Sequence, residues 1–306
     1  MRVAVIGRTE ILYKTVLLLK SKGYEIGLII TSKESPEYTK TSNDFQKLAK
    51  KLKIPFISST RIIDNMEFIK SLPEMRIGVS MNYNSIIPNE IINLFPLGIL
   101  NAHAGDLPRY RGNACQAWAI LNGERYIGLC VHKMIGGELD SGDIISRDYY
   151  PINLSTKITQ VWDWISITVP KLFYEALKNL EKDPNFLIEK QSKKTSDILR
   201  CYPRKPEDGK INWKEDSVNI IRLVNASNKP FSGAFFYFKD KKIHIWDATL
   251  AKEENFLAIP GQITLISDTF IEVATGKGKI RLSSMESKGK KILPTKFFKS
   301  LRERLS

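Results

Sequence analysis

Residues 101–143 read NAHAGDLPRYRGNACQAWAILNGERYIGLCVHKMIGGELDSGD, with Asn101 and His103 at one end and Asp140, in LDSGD, at the other. Just upstream, FPLGIL (95–100) has the apolar run of a short buried strand entered through a Pro and Gly turn, so Asn101 and His103 fall at its carboxyl end. Ligands of open parallel α/β sheets bind at that edge. Residues two apart in an extended chain share a face, which lets the Asn and His side chains reach one substrate atom. LCVHKM (129–134) reads as a further strand, and the IGGELD loop after it can bring Asp140 beside His103. The glycines, Gly136 and Gly137, would let backbone approach a flat ligand closely. Each residue alone has a structural use: a satisfied histidine, a turn-forming Asn, a capping Asp. Together they supply a polarising amide, a base and a carboxylate to orient it, which is a reaction centre in outline.

Working outward toward the amino end, RVAVIG is a buried-strand run, ILYKTVLLLKSKG has helical spacing ended by Gly23, and YEIGLIITSK is the next strand. This β-α-β start predicts a Rossmann-like sheet. Gly7 and Arg8 lie at its carboxyl edge, where Arg8 could meet a phosphate or could be an exposed charge; no GxGxxG motif supports a dinucleotide. SNDFQKLAKKLKIP fits a helix starting at Ser42 or Asn43, RIGVSMNY a strand, and NSIIPNEIINLF a helix after Pro88.

Toward the carboxyl end, residues 149–183 carry helical spacing interrupted by Pro170, where a kink or break is expected, and 183–198 have the polar composition of a linker. Beyond it GAFFYF, KIHIWDATL, GQITLIS, FIEVAT and KIRLSSME alternate apolar and polar residues between turns, the pattern of a small β-barrel. The expected division is a catalytic domain over 1–190 and a β domain over 191–306. Trp213, Phe231, Phe235, Phe236, Tyr237 and Trp246 could stack on bases, but aromatics at alternate strand positions are more often core, and that reading is favoured.

The chain has 306 residues with a net charge of +14, spread unevenly: residues 1–190 carry 24 Lys+Arg against 20 Asp+Glu, and residues 191–306 carry 23 against 13. A basic C-terminal part suits an anionic partner such as RNA or a nucleotide, or simply solubility. Three cysteines, Cys115, Cys130 and Cys201, without CxxC spacing, support neither a disulfide framework nor a zinc site. No apolar leader and no run of 18 apolar residues are present, so the sequence reads as cytoplasmic.

NxHxxxLPRYRG followed by LDSGD resembles the signature of enzymes that transfer a formyl group from N10-formyltetrahydrofolate. The resemblance implies that Asn101, His103 and Asp140 are catalytic and that no metal is required. It implies folate contacts from Ser85, Ile86 and Ile87 on one side, from Ile135, Gly136, Gly137 and Leu139 on the other, and from Asn113. It implies a C-terminal barrel of the OB-like kind. Arg109 and Arg111 could contact a substrate diphosphate or pair with an acid of the fold, and Tyr83 is a sugar-side candidate.

Residues 208–246 are similar to formyltransferases acting on UDP-linked 4-amino-4-deoxyarabinose, although an Arg there follows the Gly of YRG where this chain has Asn113. The expected activity is therefore formylation of a nucleotide-linked amino sugar for surface polysaccharide such as lipopolysaccharide O-antigen, by a homodimer. The methionyl-tRNA formyltransferases share the two-domain plan and give the alternative; a longer basic loop follows their second strand, where TSKESPEYTKTSND is short and mixed in charge. A non-catalytic RNA- or folate-binding protein is the third class, disfavoured because binding needs no such trio. In the implied chemistry His103 takes a proton from the attacking amine, Asp140 holds the imidazole tautomer, and the Asn101 amide donates to the developing oxyanion, a contact worth about 3 kcal/mol.

Overall fold

A computed structural model describes residues 1–252 and 254–306. The chain divides into two compact units, one of Met1–Cys115, Ile127–Tyr150 and Trp162–Cys201, the other of Gln116–Tyr126, Pro151–Val161 and Tyr202–Ser306.

The first unit is built on a sheet whose early elements alternate: β1 (Arg2–Gly7), α1 (Glu10–Ser21), β2 (Glu25–Thr31), α2 (Ser42–Leu52), β3 (Phe56–Ser58), α3 (Met66–Ser71), β4 (Ile77–Met81), α4 (Asn89–Ile92) and β5 (Ile99–His103). Val3, Ala4, Val5 and Ile6 of β1 are all fully buried, as are Ile77 and Val79 of β4, because helices cover both faces of a parallel sheet and leave no polar side. Thr41 caps α2 reciprocally with Asp44, which sets its start at Ser42. After β5 come β6 (Arg111–Gly112), α5 (Cys115–Asn122), β7 (Tyr126–Lys133), β8 (Ile144–Pro151), α6 (Ile158–Lys182) and β9 (Arg200–Cys201).

The main sheet has the order β3-β2-β1-β4-β5-β7-β8. From β3 to β5 it is parallel, but β7 runs antiparallel to β5, with Asn101 opposite His132 and His103 opposite Cys130. The sheet is thus mixed where a parallel one was expected. An apolar run reports burial, whereas direction is set by the path of the connection. Helix α6 also runs without a break through Pro170. Val169 and Phe173, on either side, are fully buried, and packing of that face outweighs the roughly 3 kcal/mol that an internal proline costs.

The second unit contains α7 (Ser217–Ala226) and the strands β10 (Ala234–Phe238), β11 (Lys241–Leu250), β12 (Ile263–Ile266), β13 (Ile271–Ala274), β14 (Lys279–Ser287) and β15 (Lys290–Lys291), followed by α8 (Pro294–Phe297). The strands pair antiparallel in the order β10-β11-β14-β13-β12, with β15 on β14. Ala234, Phe236, Phe238, Ile243 and Ile245 point inward with Trp213 and α7 residues Ile220, Ile221 and Val224, as period-two alternation requires.

The core reading of the aromatics holds for Trp213 and Phe236, whereas Phe235 is buried on the other face, Tyr237 is exposed and Phe231 and Trp246 are half-buried. On the face opposite the core, Lys242 lies over Phe235, Lys210 over Tyr237 and Lys229 over Trp246.

The end strands β10 and β12 are joined by the segment 303–306. Tyr237 and Ser306 exchange backbone hydrogen bonds of 2.6 and 3.0 Å, Leu305 N–H donates to Gly261 at 2.9 Å, and Ile263 N–H donates to Glu303 at 3.4 Å. Both open edges are thereby paired, which gives the sheet its barrel closure. Leu305 is buried in the core beneath this strap. Leu305→Ala is expected to lower the unfolding free energy by about 3 kcal/mol, read as a shift in the urea midpoint; an unchanged midpoint would place the strap outside the cooperative core.

Candidate functional site

Strand β5 ends at the carboxyl edge of the sheet with Asn101 half-buried and His103 buried. The Nε2 of His103 lies 2.7 Å from the Tyr110 carbonyl oxygen. A carbonyl can only accept, so Nε2 carries the proton and Nδ1 is the free basic nitrogen. Nδ1 faces Asp140 Oδ2 at 3.5 Å. The structure therefore brings Asp140 back beside His103. The tautomer, however, is fixed from the far side, by Tyr110, and not by the carboxylate to which the sequence reading gave that task. Gly105 gives the ring room: a Cβ there would lie 2.5 Å from His103 Nε2 and 2.3 Å from the Tyr110 oxygen.

Asp140 is held from several sides. Its Oδ2 accepts the Gly112 N–H at 2.9 Å, and its Oδ1 faces His132 Nε2 at 3.5 Å. Burial pushes the carboxyl upward, but His103, His132 and the Gly112 N–H outweigh it and hold Asp140 well below the usual carboxylate range. Gln191 donates to the Asp140 and Gly142 carbonyls at 3.0 and 2.6 Å and so fixes the loop that carries the carboxylate.

His132 was not singled out from the sequence. It stands directly across from Asn101 on β7, with its Nε2 3.3 Å from Asn101 Nδ2 and its Nδ1 2.9 Å from the Lys133 carbonyl. The available signal was that two of the chain's three histidines lie within the decisive stretch; the antiparallel register that joins them could not be read.

The remaining candidates separate. Ile86, Ile135 and Leu139 are exposed, at 70, 38 and 38 %, and the loop of Gly136 is tied to α4 by its N–H donating to Asn89 Oδ1 at 3.0 Å. Gly137 has φ +78°, a conformation that glycine adopts without strain. Ile87, by contrast, is 1 % exposed and packs in the core with Ile91 and Phe95, so it is not a surface contact. Consecutive residues of extended chain point to opposite sides, and only Ile86 of the pair faces out. Ser85 Oγ donates to the Thr60 carbonyl and Tyr83 donates its hydroxyl to Ser59 at 2.7 Å. Burial pushes the Tyr83 phenol up to about 12.

Arg8 donates to the Asn82 and Lys33 carbonyls at 2.8 Å each and lies over the Tyr38 ring. Arg111 donates to the Gln191 side chain at 2.9 Å and to the Ser192 carbonyl at 3.3 Å, and feels the charges of Asp140 and Glu138. Arg109 lies over the Tyr110 ring, and Asn113 has an exposed side chain while its N–H donates to Cys201. No group of three or more His, Cys, Asp or Glu suited to a metal ion occurs among the described residues, and none of their helices is long and apolar enough to cross a membrane.

Asn101, His103 and the anchored Asp140 thus gather at the strand ends of a parallel-dominated sheet, with an antiparallel β unit downstream. The chain belongs to the formyl transferase family, folate-dependent enzymes of formyl transfer: residues 1–177 match the family model Formyl transferase, and residues 204–302 match Formyl transferase, C-terminal domain. Among its relatives, the methionyl-tRNA formyltransferase of Thermodesulfovibrio yellowstonii is 30 % identical over 97 % of this chain and 94 % of its own. The fold is shared with WlaRD, a sugar 3N-formyl transferase solved in the presence of dTDP and 5-N-formyl-THF, at a TM-score of 0.68 and 18 % identity over 95 % of this chain and 98 % of that one. An N-formyltransferase from Helicobacter canadensis, solved with folinic acid and dTDP-3-aminofucose, superposes at 0.66 and 18 % identity over 93 and 99 %.

Proposed function

We propose that the protein moves the formyl group of N10-formyltetrahydrofolate to the amine of a nucleotide-linked amino sugar, in the cytoplasm and as a homodimer, toward surface polysaccharide. His103 Nδ1 takes the proton that the amine sheds as it attacks the formyl carbon, and Asp140 Oδ2 stabilises the charge that the ring acquires. The Asn101 amide donates to the negative charge that develops on the formyl oxygen. Exposed Ile86, Ile135 and Leu139 fit the flat, partly apolar body of the donor, with Gly136 and Gly137 allowing close approach.

The observation that carries the choice of acceptor is the segment after β2. Residues 32–41, SKESPEYTKT, hold two lysines and two glutamates. The segment is pinned by Arg8 on the Lys33 carbonyl, by Glu10 accepting the Thr39 N–H at 3.1 Å, and by Tyr38 stacked on Trp162. It offers no basic arm, and a polynucleotide acceptor draws its affinity from cations set against phosphates. Two observations favour methionyl-tRNA as a second reading: the near full-length likeness to methionyl-tRNA formyltransferases, and the concentration of positive charge in residues 191–306.

The test is mass-spectrometric detection of formylated product with N10-formyltetrahydrofolate and, run separately, dTDP-, UDP- and GDP-linked amino sugars and methionyl-tRNA. Formylation of a sugar nucleotide is expected; formylation of the tRNA alone would overturn the acceptor and leave the chemistry standing.

A further inference from the structure

We propose that Gln191 is a positioning residue that, together with Arg111, holds the backbone of Asp140 in the conformation that aims its carboxylate at His103. The proposal rests on the reading of Asp140 as the carboxylate facing the base and is independent of the acceptor. Asp140 has φ +49°, in the left-handed region that a residue with a side chain keeps only where its surroundings hold it there. Gln191 supplies that hold. Its Nε2 donates to the Asp140 carbonyl at 3.0 Å and to the Gly142 carbonyl at 2.6 Å, which uses both hydrogens of the amide.

The orientation of this amide is settled by its neighbours. Oε1 accepts from Arg111 Nη2 at 2.9 Å, and a guanidinium only donates, so the oxygen belongs on that side and the NH2 group toward the two carbonyls. Arg111 immediately precedes Gly112, whose N–H donates to Asp140 Oδ2 at 2.9 Å. The contacts therefore close a ring: from the Gln191 amide to the Asp140 backbone, from the Asp140 side chain to Gly112, and from Arg111 back to the amide. That ring ties PRYRG to LDSGD, and the carboxylate that faces His103 sits where the two meet.

The clamp is itself fixed in place. Gln191 N–H donates to Asp143 Oδ1 at 3.3 Å, and just before it Glu189 bridges antiparallel to Ile144, whose N–H donates to the Glu189 carbonyl at 2.9 Å. Gln191 is 7 % exposed, so water has little access to replace it at the carbonyls. Without the donor, Asp140 is free to leave the left-handed region, and its carboxylate then moves away from His103, His132 and the Gly112 N–H.

Two variants separate this role from packing. Gln191→Glu keeps the shape and the acceptor for Arg111 but sets an oxygen against the two carbonyls; Gln191→Leu removes donor and acceptor together. Activity is read with whichever acceptor the panel identifies. Each variant is expected to lower kcat by about ten- to a hundredfold, with KM for the formyl donor changed by no more than about threefold, as misplacement of a reacting group does. Parent-like kcat in either variant, or a loss carried by KM alone, would overturn the role.

Two readouts need no turnover. In the parent, the side-chain NH2 protons of Gln191 are expected to exchange with solvent at least about tenfold more slowly than those of an exposed glutamine, and equal rates would overturn the clamp. The carboxyl carbon shift of Asp140, followed from pH of about 7 down to about 4, is expected to stay constant in the parent and to begin titrating in Gln191→Leu; identical curves would also overturn it. Both readouts stand even if the protein formylates none of the acceptors tried.

Discussion

His103→Ala is expected to lower kcat by about a thousandfold while the chain stays folded, the range in which loss of a positioned general base falls. The effect should be large because nothing else in the cluster can take the proton. Asp140 is held well below the usual carboxylate range, and the His132 ring is engaged by Asn101, Asp140 and the Lys133 carbonyl. The fold should survive because the deletion removes one hydrogen bond to the Tyr110 carbonyl, at a cost of about 1–3 kcal/mol, while Asp140 keeps the Gly112 N–H and His132. His103→Gln refines the measurement: its amide can still donate to Tyr110 but has no basic nitrogen to offer Asp140. Both variants should be slow by similar factors. Near-normal turnover in the alanine variant would remove His103 from the chemistry, and recovery in the glutamine variant would reduce its part to holding Tyr110.

Asp140→Asn is the second large effect, expected to lower kcat by about a hundredfold or more through loss of the charge that balances a protonated His103. An asparagine cannot satisfy the site as the carboxylate does. Oδ2 accepts from Gly112 N–H, so an NH2 in that place would set donor against donor, and the substitution must present its oxygen there and its NH2 toward His132.

The same variant changes the dependence of stability on pH. In the folded protein Asp140 is held below its ordinary range, so the unfolded chain binds this proton more readily. The stabilisation is fully present above the unfolded value of about 4 and is lost as pH falls from there toward the folded value. Unfolding free energy measured from pH 7 downward should therefore fall more steeply in the parent than in Asp140→Asn. Parallel curves would mean that the carboxylate is not held as the geometry indicates.

Much of the site was legible because the chemistry-bearing residues cluster in sequence. Asn101 and His103 are two apart at a strand end, and a glycine-containing loop carries Asp140 within reach of them. The partners that fix the cluster were not legible for a physical reason: they act through backbone atoms or across strands. The Tyr110 carbonyl that sets the His103 tautomer would be there with any side chain at position 110, and Gln191, which anchors the Asp140 loop, is about fifty residues away in a segment read as linker. The carbonyls and amide to which Arg8 and Arg111 donate lie on distant segments, so these contacts were not legible either.

The sequence by itself determined the β-α-β start, the alternating β unit, the strand-end placement of the trio and the family whose signature it carries. Local periodicity and motif spacing are properties of neighbouring residues, and they survive without knowledge of the path between elements. Tertiary structure alone decided that β7 runs antiparallel to β5 and sets His132 against Asn101, that α6 passes through Pro170, that Ile87 turns inward while Ile86 faces out, and that residues 303–306 close the barrel. Each of these depends on which distant surface a segment packs against, and that free energy belongs to no single stretch of chain.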